Sequence, residues 1–250
     1  MSSRTLRLTW HQFRLERKMF WRNTTAAFFG FGLPLVFLAL FGVIFSSDQE
    51  ALDVLVPGIA GLSLMSNTFG ALAMALPILR DQGVLKRVRG AALPARAYVG
   101  ALVASATVNA MLQTAIIVIV GRLFFGVGWP EHPFQLVLVV FAGVACLASI
   151  GIAYSHVIPR ADAASAYMNI VSLPVLFISG AFFDTSNTPQ FLRDIAQALP
   201  LAHIIDGFRG AMVSGKDLWD LGSGLWIVAL WTVAGVVLAV RGFRWESRAG

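Results

Sequence analysis

Apolar residues fall along this chain in six long runs separated by shorter polar stretches. The runs lie near Phe28–Phe45, Val56–Leu79, Ala97–Gly121, Phe134–His156, Ala163–Phe183 and Gly224–Val240. Each approaches the roughly 20 residues that carry a helix across a bilayer, where every backbone N–H and C=O must bond within its own segment. The pattern predicts an all-α membrane protein, one transmembrane domain over residues 1–250 with six spanning helices. Between Arg4 and Arg22 the period is different. Leu6, Trp10, Phe13 and Phe20 share one helical face, while Arg7, His11, Arg14, Lys18 and Arg22 occupy the other and Arg17 intrudes on the apolar side. That spacing predicts an interfacial amphipathic helix at 4–22, lying in the headgroup plane with its cations near anionic lipid.

Residues 184–222, after the fifth run, carry two further stripes. Thr188-Pro189 opens a helix with Phe191, Leu192, Ile195 and Leu199 on its apolar face, and Pro200 is expected to stop it. Ile204, Ile205, Phe208 and Met212 form the second stripe. Neither run is long enough to span, so both are expected to dip into the outer leaflet as short amphipathic helices.

Composition agrees with a membrane location. The chain is 57% hydrophobic and only 13% charged, with a mean hydropathy of +0.74, whereas a soluble domain carries about 25% charged residues. A net charge of +6 could suggest nucleic acid, but its distribution points to basic cytoplasmic loops instead. With the N-terminus inside, fifteen Lys and Arg fall on the cytoplasmic side and four outside, with nine of the thirteen acids outside. The positive-inside rule then places both termini in the cytoplasm. Arg outnumbers Lys sixteen to three, which fits a GC-rich bacterial genome. The polar, basic stretch before the first run, with no A-x-A site after it, is expected to stay attached rather than act as a cleaved signal. Cys146, the one cysteine, sits in an apolar run and fits a small buried hydrophobe.

One stretch, GAMVSGKD at 210–217, has the spacing of a nucleotide-binding P-loop. Two arguments exclude that chemistry. A P-loop needs a Ser or Thr hydroxyl for magnesium where this chain has Asp217, and it needs a strand feeding a helix N-terminus. The charge pattern also puts Lys216 outside, away from ATP.

The cytoplasmic segment RDQGVLKRVRGAALPAR, residues 80–96, carries a short apolar stripe of Val84, Leu85 and Val88 beside Lys86, Arg87 and Arg89, punctuated by Gly90 and Pro94. It reads equally as a short helix built to contact a partner and as a basic loop that fixes topology. Within the spans, Ser63, Ser66, Asn67 and Thr68 cluster in the second. Ser105, Asn109 and Gln113 share one face of the third, and Asn169 and Ser172 lie in the fifth. Such residues either line a solute path or bond helix to helix. No span holds Asp, Glu, Lys or Arg well inside its core, which argues against an ion- or proton-coupled transporter. The four histidines, His11, His132, His156 and His203, are scattered over both sides, and no hydrolase or metal motif occurs. An ion-coupled carrier and a membrane enzyme or assembly factor stay as the alternative classes.

Two stretches resemble the ABC-2 type permease family, the membrane subunits of drug, lipid and polysaccharide ABC exporters. One is RDQGVLKRVRGAALPARAYVGALV, residues 80–103, which is similar to that family's cytoplasmic coupling segment. The other is LPVLFISGAFFDTSNTPQFLRDIAQALPLAHIIDGFRG, residues 173–210, with its run Leu199-Pro200, Asp206 and Arg209. The likeness extends over essentially the whole chain. It implies that two six-span subunits pair in a bacterial plasma membrane and that separate ATPase subunits dock beneath. ATP and Mg would then sit on the partner, with no cofactor or metal on this chain, no nucleic acid, and membrane lipid as a further partner. It gives Arg80, Asp81, Gly83, Leu85, Arg87 and Arg89 the role of coupling to the ATPase. The candidate solute path comprises Ser66, Asn67, Ser105, Asn109, Gln113 and Asn169. The expected activity is outward movement of an amphipathic drug, lipid or glycolipid, with multidrug efflux and antibiotic resistance as one form of it. Many relatives place Gly directly after the acidic residue of the coupling segment, whereas here Gln82 separates Asp81 from Gly83.

Overall fold

The computed structural model describes residues 3–90, 94–182, 189–215 and 222–242. The sequence expectations at Phe183, Thr188, Lys216 and Asp217 therefore lie outside the described residues. Among the described residues every regular element is a helix. In chain order these are α1 (Ser3–Arg22), α2 (Thr24–Ala27), α3 (Leu33–Ile44), α4 (Gln49–Met65), α5 (Ala71–Asp81), α6 (Val84–Gly90), α7 (Ala95–Phe125), α8 (Pro133–Tyr154), α9 (Ala164–Ile178), α10 (Gln190–Ala198), α11 (Pro200–Arg209) and α12 (Ser223–Gly242). Three π-helical turns, Phe28–Gly32, Ser66–Gly70 and Gly210–Ser214, interrupt or extend them.

Among the described residues five helices are long and apolar enough to cross a membrane: Gln49–Asp81, Ala97–Phe125, Pro133–Tyr154, Ala161–Ile178 and Ser223–Gly242. The first apolar run forms the shorter helix Phe28–Ile44. Of the six runs, then, five reach spanning length by themselves. At the start of the first, α2 and the π-helical turn carry the helical backbone on from Thr24, although Asn23, Thr24 and Thr25 are polar. The second is longer than its hydropathy suggested. Asp48 caps α4, its carboxylate accepting from Ala51 N at 3.0 Å, and recruits the polar residues Gln49, Glu50 and Asp53 into the helix.

The core is built around α4. From Leu55 to Met65 every residue of this helix is buried, the state of a helix that is apolar on all sides. By contrast, α9 and α12 keep most of their apolar surface exposed, with Ile170, Leu173 and Phe177 on one and Trp226, Leu230 and Val233 on the other. Glycines set the closest approaches, as expected where lipid supplies no hydrophobic drive between helices. A Cβ at Gly61 would meet Cγ1 of Ile205 at 2.5 Å, and one at Gly151 would meet the Phe69 carbonyl oxygen at 2.8 Å.

The segment after the fifth run differs from its sequence reading. The first stripe forms α10, which begins at Gln190, one residue after Pro189. Pro200 does not simply stop it. Leu199 is extended, and Pro200 is the first residue of α11, a position where its missing N–H and fixed φ cost nothing. The second stripe does not face outward. Ile204, Ile205, Phe208 and Met212 are buried in the bundle, with α11 packed against α4. Trp231 Nε1 on α12 donates to the Ala198 carbonyl at 2.9 Å and holds the α10–α11 junction. Residues 210–214 continue α11 as a π-helical turn, and Gly215 leaves it in the left-handed region at φ +58°. A helix therefore leads into the described part of GAMVSGKD where a P-loop needs a strand.

Candidate functional site

The first group of candidate residues closes the end of α5. The chain from Asp81 to α6 turns at Gly83, whose φ of +68° is open to glycine at little cost. Arg80 is buried, and its Nη2 donates to the Ile158 carbonyl at 2.8 Å. Asp81 Oδ2 accepts from the Ala161 backbone N–H at 2.7 Å. Adjacent residues thus clasp the segment between α8 and α9. The short helix α6 is anchored on this brace by Leu85, which is 1% exposed, with Val84 and Val88 half-buried beside it. Lys86 and Arg87 are exposed on its other side. The Arg89 side chain and residues 91–93 lie outside the described portion. The arrangement gives a basic helix fixed from behind by one leucine, with Lys86 and Arg87 presented outward.

A second group converges on the π-helical turn at Phe28–Gly32. A π-helical turn shifts the backbone ladder and leaves carbonyl groups to be satisfied from outside, an acute need in lipid. Two side-chain amides meet it. Asn67 Nδ2 donates to the Gly30 carbonyl at 3.2 Å, and Gln113 Nε2 donates to the Phe31 carbonyl at 3.2 Å. Asn67 itself lies in the π-helical turn Ser66–Gly70. Asn109, one turn before Gln113 on α7, accepts a hydrogen bond on Oδ1 from Arg17 Nη1 of α1. Phe31 packs against Phe20 and Trp21 of α1, with ring centroids at 5.8 and 5.5 Å. The node therefore joins α1 to three apolar helices. Ser105 is buried on the same face of α7, and Ser66 is half-buried beside Asn67. Gln113 Oε1 and the neighbouring Thr114 Oγ1 are buried with no hydrogen-bond partner among the described residues. Asn169 stands apart, exposed on the outward face of α9 with Ile170 and Leu173.

The helix α1 meets α7 through an unexpected face. Thr5 is buried, Thr9 packs at Gly100, and Gln12 and Glu16 continue the same stripe. Leu6 and Trp10, from the predicted apolar face, are instead exposed toward the surroundings. The small and polar stripe seats the helix and leaves Leu6 and Trp10 on its outer flank. Burial pushes the Glu16 carboxyl above its ordinary range, opposed in part by Gln12 Nε2, which donates to it at 2.7 Å. Partial burial lowers the Arg17 guanidinium, which also lies over the Trp21 ring at 5.7 Å; an arginine starting so high stays charged.

Sequence reasoning had flagged Arg17 as a cation on an apolar face but not its partner Asn109. It missed the Gly30 and Phe31 carbonyls and the Ile158–Ala161 segment, because backbone acceptors leave no residue-type signal. The Asp206 and Arg209 motif forms an ion pair within α11, Oδ1 to Nη1 at 3.2 Å. Partly exposed pairs of this kind contribute little.

Comparison with known proteins bears on the whole site. A family model described as ABC-2 type transporter matches residues 7–213. Nodulation protein J of Sinorhizobium fredii is 31% identical over 114 residues, 46% of this chain and 43% of that protein. Nodulation protein J of Rhizobium leguminosarum bv. viciae is 32% identical over 115 residues, 46% of this chain and 44% of that protein. A protein of Porphyra purpurea described as a transport permease, ycf38, is 28% identical over 203 residues, 76% of this chain and 68% of that protein. The chain thus covers less than half the length of the nodulation relatives it matches.

Proposed function

We propose that this chain, which belongs to the ABC-2 type transporter family, is the permease subunit of an ATP-driven exporter and moves an amphipathic solute outward by alternating access. It is a multi-pass membrane protein, and the Porphyra purpurea relative ycf38 is described as a transport permease. In this reading six spans cross a bacterial inner membrane with both termini in the cytoplasm, the helix from Thr24 to Ile44 serving as the first. The segment from α10 to the turn after α11 lies toward the outer side. A second permease subunit pairs with this one, and the exposed face of α9 around Asn169 is a surface suited to that contact, since a lone amide in lipid seeks a partner. ATP and Mg are held by a separate ATPase subunit.

The observation that carries the reading is the braced helix α6. Arg80 and Asp81 tie its root to the α8–α9 segment, Leu85 seats it, and Arg87 faces outward. A push on α6 would therefore reach α5 and α9 together. The solute class stays at amphipathic lipid or glycolipid. The relatives' names, a nodulation protein and a transport permease, give no support to drug efflux or antibiotic resistance.

The test is reconstitution with the ATPase subunit that co-purifies. Arg87→Glu with Arg89→Glu should lower both the association and the ATP hydrolysis stimulated by an amphipathic panel, at an unchanged yield of folded permease. Normal coupling in that double variant removes α6 from the docking role.

A further inference from the structure

The C-terminal half of α1 carries a feature that neither docking nor the polar node uses. Leu15, Lys18, Met19, Arg22 and Asn23 line an open depression of about 500 Å³ at the elbow between α1 and the first apolar helix. The first four stand at i, i+3, i+4 and i+7, so they form one face of α1. That face is separate from the stripe of Thr5, Thr9, Gln12 and Glu16 seated at α7. Lys18 and Arg22 are exposed, and neither has a carboxylate partner among the described residues. Leu15 and Met19 are exposed alongside them, at 43% and 52%. Two unpaired cations over two exposed apolar side chains call for a ligand that is anionic at one end and apolar at the other.

The depth of the site selects its occupant. Arg17, on the same turn of α1, bonds to Asn109, twelve residues beyond the start of the α7 span at Ala97. At the rise of a helix that is about 18 Å along α7. Phe31 and Gln113 meet one turn further along α7, so the chain from Asn23 rises directly into the apolar helix at this level. A protein seated on α6, near the start of α7, lies well below it. The span Ala97–Phe125 has 29 residues, about 43 Å at helical rise, and so overhangs a hydrocarbon core of about 30 Å. With the overhang on the α6 side, as in the proposed placement, the elbow lies within about one turn of the headgroup level, and Phe28 and Phe29 just beyond it are exposed.

We infer that the elbow is a seat for an anionic phospholipid, with Lys18 and Arg22 holding the phosphate and Leu15 and Met19 receiving the start of the acyl chains. The assignment rests on the proposed placement of this end of the bundle at the membrane's edge. It adds a lipid requirement to the hinge between α1 and the first apolar helix, where the Arg17–Asn109 bond meets the π-helical turn.

The test is native mass spectrometry of the full chain released from vesicles of phosphatidylcholine with phosphatidylglycerol. This reads retained lipid without regard to which side of a membrane α1 occupies, while a separate labelling experiment reads sidedness, so the two readings fail independently. The chain should retain phosphatidylglycerol in preference to phosphatidylcholine. Lys18→Gln with Arg22→Gln should weaken that retention by about thirtyfold, from about a fivefold loss per cation near a surface. The control pair Arg7→Gln with Arg14→Gln should retain it. Leu15→Ser with Met19→Ser should lose the lipid, while excess glycerol phosphate should fail to displace it from the native chain. Equal loss in the control pair would reduce the effect to diffuse charge and overturn the seat. Displacement by glycerol phosphate would make it a plain phosphate site and overturn the lipid assignment. So would unchanged retention in Lys18→Gln with Arg22→Gln, or loss of the ATPase subunit in that variant with lipid still bound.

Discussion

Asn67 Nδ2 donates to the Gly30 carbonyl oxygen at 3.2 Å and so joins two π-helical turns in consecutive apolar helices. Each turn departs from the ordinary ladder where the other can reach it, and Gln113 serves the next carbonyl along, that of Phe31. Asn67→Ala or Gln113→Leu should lower stability by about 1–2 kcal/mol each, because a backbone acceptor in a dry interior loses its donor. The double variant should depart from additivity, since both amides support one turn. Unfolding titrations in mixed micelles check this. Two additive, near-zero effects would show that the turn does not depend on them.

Close packing gives a second contrast. A Cβ at Gly58 would run into the Ala181 carbonyl, which is backbone and cannot move aside, whereas one at Gly100 would meet only Thr9 Cγ2 at 3.7 Å. Gly58→Ala should cost about 1–3 kcal/mol as overpacking, and Gly100→Ala should be close to neutral. The folded yield and thermal midpoint of the two proteins decide it, and equal behaviour would contradict the packing described.

Glu16 makes the seating of α1 sensitive to pH. Its ordinary value is 4.5, and burial against α7 raises it. Seated α1 therefore binds more protons than free α1 as pH rises from 4.5 to the raised value, and across that window seating weakens. Above the raised value no further loss accrues. Hydrogen exchange of the α1 amides, corrected for intrinsic rates, should show protection falling with pH there. Glu16→Gln should abolish the slope, and a variant that kept it would locate the titration elsewhere.

The brace beneath α6 separates stability from docking. Asp81→Asn weakens the bond that the Ala161 N–H donates to a charged acceptor, and should cost about 1 kcal/mol while loosening the α8–α9 segment. Arg80→Ala removes a buried guanidinium from the Ile158 carbonyl and should cost more. Arg87→Ala, on the exposed side, should leave stability unchanged. Protease cleavage rates between Tyr154 and Ala164 report the difference, and an Arg87→Ala as labile as Asp81→Asn would contradict the division.

The spans were legible because lipid allows few solutions: an apolar run near 20 residues has to be helical. Their limits were less so. Asp48 drew three polar residues into α4 through a cap that hydropathy averages away, and the Thr24–Thr25 step hid the start of the first apolar helix. The period of 204–212 was read correctly as a helix, but its partner was misassigned. An apolar stripe says that a face is covered without saying whether lipid or α4 covers it. In the same way α1 shows Leu6 and Trp10 outward and seats itself on α7 through threonines, since small and polar residues allow a closer helix contact than large apolar ones. Asn67, Asn109 and Gln113 stood out as amides in apolar helices, yet the carbonyls they serve belong to a π-helical turn that has no signature in residue types.

Docking requires that α6 face the cytosol, where an ATPase can reach it, with the turn after α11 on the opposite side. Single cysteines at Arg87 and at Ser214, in a Cys146→Ser background, can be probed in intact cells with a membrane-impermeant maleimide. Cys146 is fully buried, so its removal should leave the fold in place. The expected result is immediate labelling of Ser214→Cys, and labelling of Arg87→Cys only after the membrane is opened. Prompt labelling of Arg87→Cys in intact cells would contradict the orientation and the docking role together.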